Sequence, residues 1–417
     1  MNASAWPTSP PTTALQLDLW ILSTVRPALP WGANAVDLVI QGSAISEVLP
    51  AGTGAAAHPG ARVEDGKNLL ALPGLINAHA HADKSWWGQE WVSWGGEPTT
   101  QGRISHERLN RERLSIPSTH GAELILRQFL RHGTTATRSH VDVDLGVGLR
   151  GVEHVLTAAQ NLGGAIDVEI VAFPQDGVIR RPGVLALLNE AVSMGVKNIG
   201  GLDPATIDRD PVAQLDGLFQ IAERTGAGID IHLHDPRELG AFQLELIIER
   251  TLATGAQGRV NIAHGFALGD LQGAAQNDLL ERAAEAGLTW TTVAPVRTQP
   301  LPWKRMRELG VGLGLGTDGI RDLWNPFGDG DLLKMALGFA RLHGAHRDED
   351  LARIVALATT EAAPFVHRTQ HDLNAGSRAD IVLLDSQNAA DALVLTPRRE
   401  LVVAGGRIVA REGELTL

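Results

Sequence analysis

The middle of the chain alternates between short apolar strands and helical periodicity, and this alternation repeats eight times. The strand candidates are Leu70–His81, Thr135–Asp142, Val168–Gln175, Asn198–Asp203, Gly228–His234, Arg259–Phe266, Leu288–Ala294 and Val311–Asp318. Helical periodicity separates most of them, as in Ala122–Arg131, Val184–Ser193, Val212–Arg224, Leu239–Ala253 and Asp270–Ala286. Eight strand–helix units over about 290 residues predict an α/β fold, a (β/α)8 TIM barrel. A doubly wound sheet would instead need a glycine-rich phosphate loop after its first strand, which here ends in His-Ala-His.

Both ends of the chain differ from the middle and resemble each other. The apolar runs that indicate short strands are Leu15–Leu22, Ala35–Gln41, Ile45–Leu49, Ala379–Asp385, Glu400–Ala404 and Arg407–Arg411. They predict a small β-sandwich domain formed by both chain termini. We therefore expect a flexible tail at residues 1–13, a small β domain from 14–72 with 368–417, and a (β/α)8 barrel at 73–367.

Composition excludes several classes of protein. The 417 residues include no cysteine, so disulfides, thiolate metal ligands and a catalytic cysteine are ruled out. The net charge is −12 without a clustered basic run, which argues against a nucleic-acid partner. A basic, apolar leader and an apolar stretch of about 20 residues are both missing, so we expect a cytoplasmic protein with no membrane partner.

Histidine and aspartate occur where the predicted barrel strands end, which is where barrel active sites lie. The first strand ends with His79 and His81, the fifth with His232, His234 and Asp235, the sixth with His264 and the eighth with Asp318. Residues i and i+2 of a strand point to the same side, so such a pair can reach one ion. Alone, His264 would more often be a core histidine and Asp318 a helix cap, but their joint placement favours a metal site.

Three imidazoles and one carboxylate suit one divalent ion with an open position for water, whose pKa the ion lowers toward neutrality. A second ion would need a bridging lysine or glutamate at the end of the fourth strand. Lys197 lies before that strand, at its wrong end. The sequence therefore predicts a mononuclear site.

Three motifs make a specific resemblance. The segment Pro73-Gly-Leu-Ile-Asn-Ala-His79-Ala-His81-Ala-Asp-Lys84 resembles the opening motif of the amidohydrolase superfamily. Ala172-Phe-Pro-Gln175 and Thr317-Asp-Gly-Ile-Arg-Asp-Leu-Trp324-Asn-Pro326 resemble its cytosine deaminase branch, and the likeness covers nearly the whole chain. The resemblance implies His79, His81, His232 and Asp318 as ligands of zinc or iron. It further implies that His264 contacts the nucleophilic water or the substrate, that Gln175 contacts the ring and that Trp324 lies over it.

The sequence also departs from cytosine deaminases. Asp235 stands where they carry the glutamate that shuttles a proton, and Gly319 stands where they carry a second aspartate that helps to read the base. The His-x-His-x-Asp-Lys and His-x-His motifs are nearer to the N-isopropylammelide isopropylaminohydrolase family. That resemblance implies a substrate pocket formed by Lys84, Gln175, His234 and His264.

These residues predict a hydrolase that uses metal-bound water to displace ammonia or an alkylamine from a nitrogen heterocycle of pyrimidine or s-triazine type. Asp318 and His264 would orient the water and accept its proton. The acid could be His234, Asp235 or Lys84, and we favour His234 because it shares a strand face with His232 and titrates near neutral pH. Lys84 could also stabilise an anionic intermediate. Alternatives are cytosine deaminase proper, a cyclic amide hydrolase and a non-catalytic barrel.

Tryptophan is concentrated near the two ends of the barrel sequence. Trp86, Trp87, Trp91 and Trp94 follow the first strand and would form either a lid or a subunit interface, while Trp324 follows the last strand. We expect these two loops to be adjacent and to wall a flat substrate, and we expect a homo-oligomer. Arg321 and Asp322 are interpreted as a structural pair.

Overall fold

The computed structural model describes residues 19–28 and 34–417. The tail expected at residues 1–13 lies outside the described residues, as do the first four positions of the strand expected at Leu15–Leu22.

The strands fall into three groups along the described chain. Before the barrel come β1 (Leu19–Pro27), β2 (Val36–Gln41), β3 (Ala44–Pro50), β4 (Arg62–Asp65) and β5 (Leu70–Pro73). The barrel strands are β6 (Leu75–Ala80), β7 (Thr134–Asp142), β8 (Asp167–Phe173), β9 (Asn198–Leu202), β10 (Gly228–Leu233), β11 (Val260–His264), β12 (Thr289–Thr292) and β13 (Leu313–Leu315). After it come β14 (Ile381–Leu384), β15 (Arg399–Ala404), β16 (Arg407–Arg411) and β17 (Glu414–Leu415).

Helices connect these strands. They are α1 (Gly54–Ala57), α2 (Thr100–Leu114), α3 (Thr119–Arg131), α4 (Arg150–Asn161), α5 (Val184–Ser193), α6 (Pro211–Thr225), α7 (Arg237–Ala253), α8 (Ala267–Asp270), α9 (Gly273–Glu285), α10 (Trp303–Glu308), α11 (Leu332–Leu342), α12 (Asp348–Ala356) and α13 (Ala389–Leu395). A π-helix spans Pro204–Asp208 and a 3-10 helix spans Thr360–Val366. None of the helices in residues 19–28 and 34–417 is both long and apolar enough to span a bilayer.

Strands β6 to β13 form one sheet in which each strand is parallel to the next one along the chain. The sheet closes where the backbone N–H of Asp318 donates to the carbonyl of His79 at 3.0 Å. A parallel bridge between Ala80 and Asp318 lies at the same point. The prediction of a (β/α)8 barrel is thus confirmed, and the closure joins the first metal-motif strand to the last.

The terminal strands form a separate mixed sheet, as the sequence predicts. Within the described residues its order is β17-β16-β15-β14-β5-β1-β2-β3, and β4 also pairs with β1. Strand β1 pairs with β2 over its first half and with β5 at its end, so it joins two halves of the sheet. Trp20 and Ile40 from one half share a core with Leu383 and Val403 from the other. The two termini therefore build one β domain.

One strand boundary differs from the sequence prediction. Leu70–His81 was expected as a single strand, but it forms β5 in the terminal sheet and β6 in the barrel, and Gly74 separates them. A Cβ at Gly74 would lie 2.2 Å from Thr135 Oγ1, so a larger residue would disturb the passage between the sheets. The apolar pattern hides the break because both strands are fully buried.

Candidate active site

The histidines and the aspartate at the strand ends meet at the carboxyl end of the barrel. Ligand atoms of His79, His81 and His232 lie within 4.8 Å of one another, and so do those of His79, His264 and Asp318. The Nε2 atoms of His81 and His232 are 3.4 Å apart. Asp318 Oδ1 lies 3.3 Å from His81 Nε2 and 3.5 Å from His79 Nε2. The four residues expected as metal ligands are therefore brought together.

The nitrogens of this cluster fit a divalent cation. Both ring nitrogens of His79 are buried and have no hydrogen-bond partner among the described residues. His81 Nδ1 lies 3.1 Å from the carbonyl of His140, which leaves Nε2 directed at the cluster. Burial, together with neighbouring imidazoles, holds the pKa of His232 well below its usual value. A neutral imidazole is the form that binds a metal, so these residues fit a divalent cation.

Backbone strain marks two of these positions. His264 has φ of 69° and Asp318 has φ of 59°, a left-handed conformation that residues other than glycine seldom adopt. Such strain persists where the surrounding structure enforces it, and it concentrates at functional sites. Nearby, a Cβ on Gly316 would lie 2.4 Å from the carbonyl oxygen of His79. This close approach explains the glycine before the Thr317-Asp318 pair.

His234 is positioned by a carboxylate that the sequence analysis did not identify. Its Nδ1 lies 2.9 Å from Asp203 Oδ2, at the end of β9. Burial alone would lower the pKa of His234, but the charge of Asp203 outweighs it and raises the pKa. The His234 ring stacks on His264 with centroids 4.5 Å apart. His234 is thus held beside the metal cluster in a form that can carry a proton.

Asp235 is directed away from this cluster. Its Oδ1 accepts a hydrogen bond from the Thr206 hydroxyl and its Oδ2 accepts one from Gln243 Nε2 at 3.0 Å. Asp235 does not line the pocket, whereas His234 does. The sequence leaves open whether His234 or Asp235 is the acid, and the structure brings only His234 to the cluster.

Lys84 lies in a buried ionic network on one wall of the pocket. Its Nζ donates to Asp142 Oδ1 at 2.6 Å and to Gln175 Oε1 at 2.7 Å. Burial opposes its charge, but Asp142 and Glu107 together raise the pKa of Lys84 above its usual value. Lys84 is therefore a fixed positive charge at neutral pH.

Glu107, on α2, is the residue of this wall that sequence reasoning missed. It accepts from Gln175 Nε2 at 3.0 Å through Oε1 and from Trp324 Nε1 at 2.6 Å through Oε2. Burial would raise its pKa, but the charges of Lys84 and Arg111 lower the pKa of Glu107 to about 2. The Glu107/Arg111 pair, four residues apart on a polar helix, was the available signal.

The same network restricts Gln175. Its Nε2 also donates to Asp142 Oδ2 at 3.0 Å, so both amide hydrogens point into the protein wall. Its oxygen accepts from Lys84. The resemblance implies that Gln175 contacts the ring, and the structure places Gln175 in the pocket with both amide hydrogens already engaged.

The pocket lies over the histidine cluster. Its lining residues are His81, Lys84, Phe173, Gln175, Leu202, His232, His234, His264, Asp318, Gly319, Asp322, Trp324 and Asn325. Phe173 stacks on His232 with centroids 4.1 Å apart and supports the floor of the pocket. Trp324 also lines the pocket, and its role as a wall over a bound ring stays a prediction.

The tryptophans of the Trp86–Trp94 segment lie outside the pocket, next to Trp324. Trp86 is fully buried and packs edge to face on Trp91, while the Trp94 indole N–H donates to the carbonyl of Trp324 at 3.3 Å. The loop that follows β6 is adjacent to the loop that follows β13, as expected. The tryptophans of Trp86–Trp94 nevertheless do not line the pocket. Trp91 and Trp94 remain 63% and 52% exposed. Whether this loop serves as an interface stays a prediction.

Asp322 also faces the pocket. Its Oδ1 accepts from the backbone N–H groups of Trp324 and Asn325 at 2.8 and 2.7 Å. Burial raises the pKa of Asp322 to about 7. The interpretation of Arg321 and Asp322 as a pair is wrong, because the Arg321 guanidinium lies over the Trp86 ring at 4.4 Å instead.

A closed barrel whose strand ends carry a metal-competent histidine–aspartate cluster defines a class of metal-dependent hydrolases. The model of the amidohydrolase family matches residues 134–410. The chain belongs to this metal-dependent family, and it is an enzyme that hydrolyses C–N bonds.

Individual relatives agree with this assignment. The N-isopropylammelide isopropyl amidohydrolase of Pseudomonas sp. (strain ADP) is 30% identical over 362 residues, which are 84% of this chain and 88% of that protein. The crystal structure of N-isopropylammelide isopropylaminohydrolase from Burkholderia multivorans is 40% identical with a TM-score of 0.90, covering 96% of this chain and 100% of that one. The 5-methylcytosine deaminase of Klebsiella pneumoniae shares the fold at 21% identity and a TM-score of 0.80, over 94% of this chain and 97% of that one.

Proposed function

We propose that this chain is a mononuclear aminohydrolase that removes ammonia or an alkylamine from a nitrogen heterocycle of pyrimidine or s-triazine type. The observation that carries the proposal is the joint placement of the His79–His81–His232–Asp318 cluster and the His234–Asp203 pair at one small aromatic-walled pocket. The similarity to two aminohydrolases of N-isopropylammelide supports the same substrate class.

The cluster would hold one Zn²⁺ or Fe²⁺ through His79, His81, His232 and Asp318. Such an ion supplies an activated water at neutral pH. His264 would orient that water, and Asp318 would accept one of its protons. Water would add to the ring carbon that bears the exocyclic amine, and the proton on Asp318 would pass to the adjacent ring nitrogen. The C–N bond would then break as the amine leaves with a proton from His234, and the remaining hydroxyl proton would return to His234 as the ring carbonyl forms.

His234 is the proposed acid. The departing amine needs a proton, and the Asp203 carboxylate keeps the His234 Nδ1 side hydrogen-bonded while its other nitrogen is free for the substrate. Proton delivery from an imidazole of raised pKa is effective near neutral pH. Asp235 is tied to Thr206 and Gln243, so we assign it no proton transfer.

Lys84 and Trp324 are proposed to bind the ring. The Lys84 ammonium has three donors, of which Asp142 and Gln175 take two, so one remains for a ring carbonyl or for negative charge that develops on the ring. Trp324 offers a flat face, fixed by its hydrogen bond to Glu107. Together they orient the amine-bearing carbon toward the histidine cluster.

A substrate panel tests the proposal. The purified metal-loaded protein is incubated with N-isopropylammelide, ammelide, cytosine, isocytosine and creatinine, and released ammonia or amine is measured. We expect turnover of at least one aminated ring, and a His79→Ala variant should lose both metal and activity. Release from cytosine alone would favour a cytosine deaminase, and opening of a cyclic amide without amine release would indicate a cyclic amide hydrolase. No turnover of any aminated ring would refute the proposal.

A further inference from the structure

Asp322 carries an oxygen that the protein itself does not use. Its side chain is 4% exposed, and Oδ1 accepts both hydrogen bonds that hold the loop, from the backbone of Trp324 and Asn325. Among the described residues, no donor bonds to Oδ2. Within residues 19–28 and 34–417, no lysine or arginine forms an ion pair with this carboxylate. The hydrogen bonds that hold the loop therefore leave the second oxygen without a role in the protein.

Gly319 makes room for that oxygen. A Cβ built on Gly319 would lie 1.7 Å from Asp322 Oδ2 and 2.6 Å from its Cγ. Gly319 does not adopt a positive φ, so its backbone conformation is open to any residue. The missing side chain therefore serves the close approach of the Asp322 carboxylate, and both residues line the pocket.

Three other side-chain oxygens that line the pocket already have partners. Asp318 Oδ1 belongs to the histidine cluster, and the Gln175 oxygen accepts from Lys84. The Asn325 oxygen accepts from the backbone of Phe327 at 3.2 Å. Among the described residues that line the pocket, the Oδ2 atoms of Asp318 and Asp322 have no hydrogen-bond donor. Because Asp318 belongs to the histidine cluster, Asp322 Oδ2 is the carboxylate oxygen outside that cluster that a bound ring meets.

We infer that Asp322 determines substrate specificity by accepting a hydrogen bond from a ring N–H, so that the site takes heterocycles in their lactam form, –NH–C(=O)–. The free Lys84 donor serves the neighbouring carbonyl, and Asp322 Oδ2 serves the N–H. This inference rests on the proposed function and narrows its substrate class. Aromatic rings without an N–H leave the carboxylate desolvated and unpaired, and are disfavoured.

Asp322→Asn tests the inference at pH 8.5, where the Asp322 carboxyl, whose pKa burial raises to about 7, is ionised and accepts a hydrogen bond. Asparagine keeps the Oδ1 acceptor that holds the loop but places an N–H₂ donor where Oδ2 stands. The substrate pair is the best aminated lactam of the panel and its deaza analogue, in which C–H replaces the ring N–H without added bulk. We expect wild type to prefer the lactam in kcat/KM, and Asp322→Asn to lose about 10- to 100-fold on the lactam with little change on the deaza analogue.

Two further variants separate recognition from folding. Gly319→Ala should displace the carboxylate and lower the preference for the lactam as Asp322→Asn does, whereas Gly319→Ala placed on Asp322→Ala should add nothing. Asp329→Asn, on the same loop but bonded to Lys334 and half-exposed, is the matched control and should leave the preference unchanged. Equal loss on both substrates would show a structural role and overturn the inference.

Binding measurements keep this test independent of turnover. Calorimetric titration of wild type and Asp322→Asn with uracil, cyanuric acid and their deaza analogues reports recognition without chemistry. If no aminated ring is turned over, the proposed function fails, and the titrations still decide on Asp322. A wild type that binds lactams no better than deaza analogues overturns the inference even if amine is released.

Discussion

Replacing Asp322 with asparagine should stabilise the protein, and increasingly so as pH rises. Burial raises the pKa of Asp322 from 3.8 to about 7, although the charge of Lys84 and two backbone hydrogen bonds offset part of this effect. Between pH 3.8 and pH 7, the folded protein therefore keeps the proton on Asp322, whereas the unfolded protein has lost it. The stability linked to the group is fully present below pH 3.8 and is lost as pH rises through 7.

The magnitude follows from the two pKa values. Relative to its value below pH 3.8, the free energy of unfolding falls by about 1.6 kcal/mol at pH 5 because of Asp322. The loss grows to about 4 kcal/mol at pH 8 and is nearly constant above that. Asparagine resembles the protonated carboxyl and cannot ionise. The Asp322→Asn variant should therefore gain about 1 to 2 kcal/mol over wild type at pH 5 and about 4 kcal/mol at pH 8.

Urea denaturation of wild type and variant in the same metal-containing buffer, at whole pH units from 5 to 9, measures this difference. Asp329→Asn is the control on the same loop, and its difference from wild type should not grow with pH in this way. A difference for Asp322→Asn that stays flat from pH 5 to 8, or that turns negative, would refute the reasoning. Greater stability with weaker lactam recognition would mark Asp322 as a residue retained for function.

Further predictions concern catalysis, the pocket wall and the ion. His234→Asn should lower kcat by about 10²- to 10⁴-fold while elemental analysis finds the metal retained, and the exposed His346→Asn control should be silent; full activity would remove His234 as the acid. Glu107→Gln removes the charge that holds Trp324 and should raise KM by about tenfold with a smaller fall in kcat, so an unchanged KM would contradict its positioning role. Gly316→Ala should cost about 1 to 3 kcal/mol of stability and reduce bound metal, both measured on the purified variant. Chelation should abolish amine release and lower the melting temperature, and activity that survives with no metal detected would exclude the proposed chemistry.

The barrel was predictable because its strands repeat one local pattern. Eight buried runs with helices between them leave few alternatives, and His79 and Asp318 could be read as strand ends before any contact was known. Local pattern could not show that Leu70–His81 serves two sheets, because burial on both faces erases the alternation that would mark a boundary. Only the partners of β5 and β6 reveal it.

Site residues could be predicted from the sequence where they lie on a single strand. They could not be predicted where segments that are far apart in the sequence meet. The His79/His81 and His232/His234 pairs follow from strand geometry. Glu107, however, lies on a helix with little apolar periodicity, and its role depends on Trp324, which is 217 positions later. Asp203 follows a strand and belongs to no motif. Its role depends on its hydrogen bond with His234, which lies on another segment. Such pairings arise from topology, so no single segment encodes them.

The place of β5 in the terminal sheet has a consequence for the newly made protein. This strand leads directly into β6 and lies between β1 and β14, and β14 begins only at Ile381. During translation, the segment that leads into the first metal-binding histidines lacks one of its two neighbouring strands until β14 has been synthesised. A nascent chain stalled before residue 381 should therefore retain the metal ion less well than one that extends past Leu384.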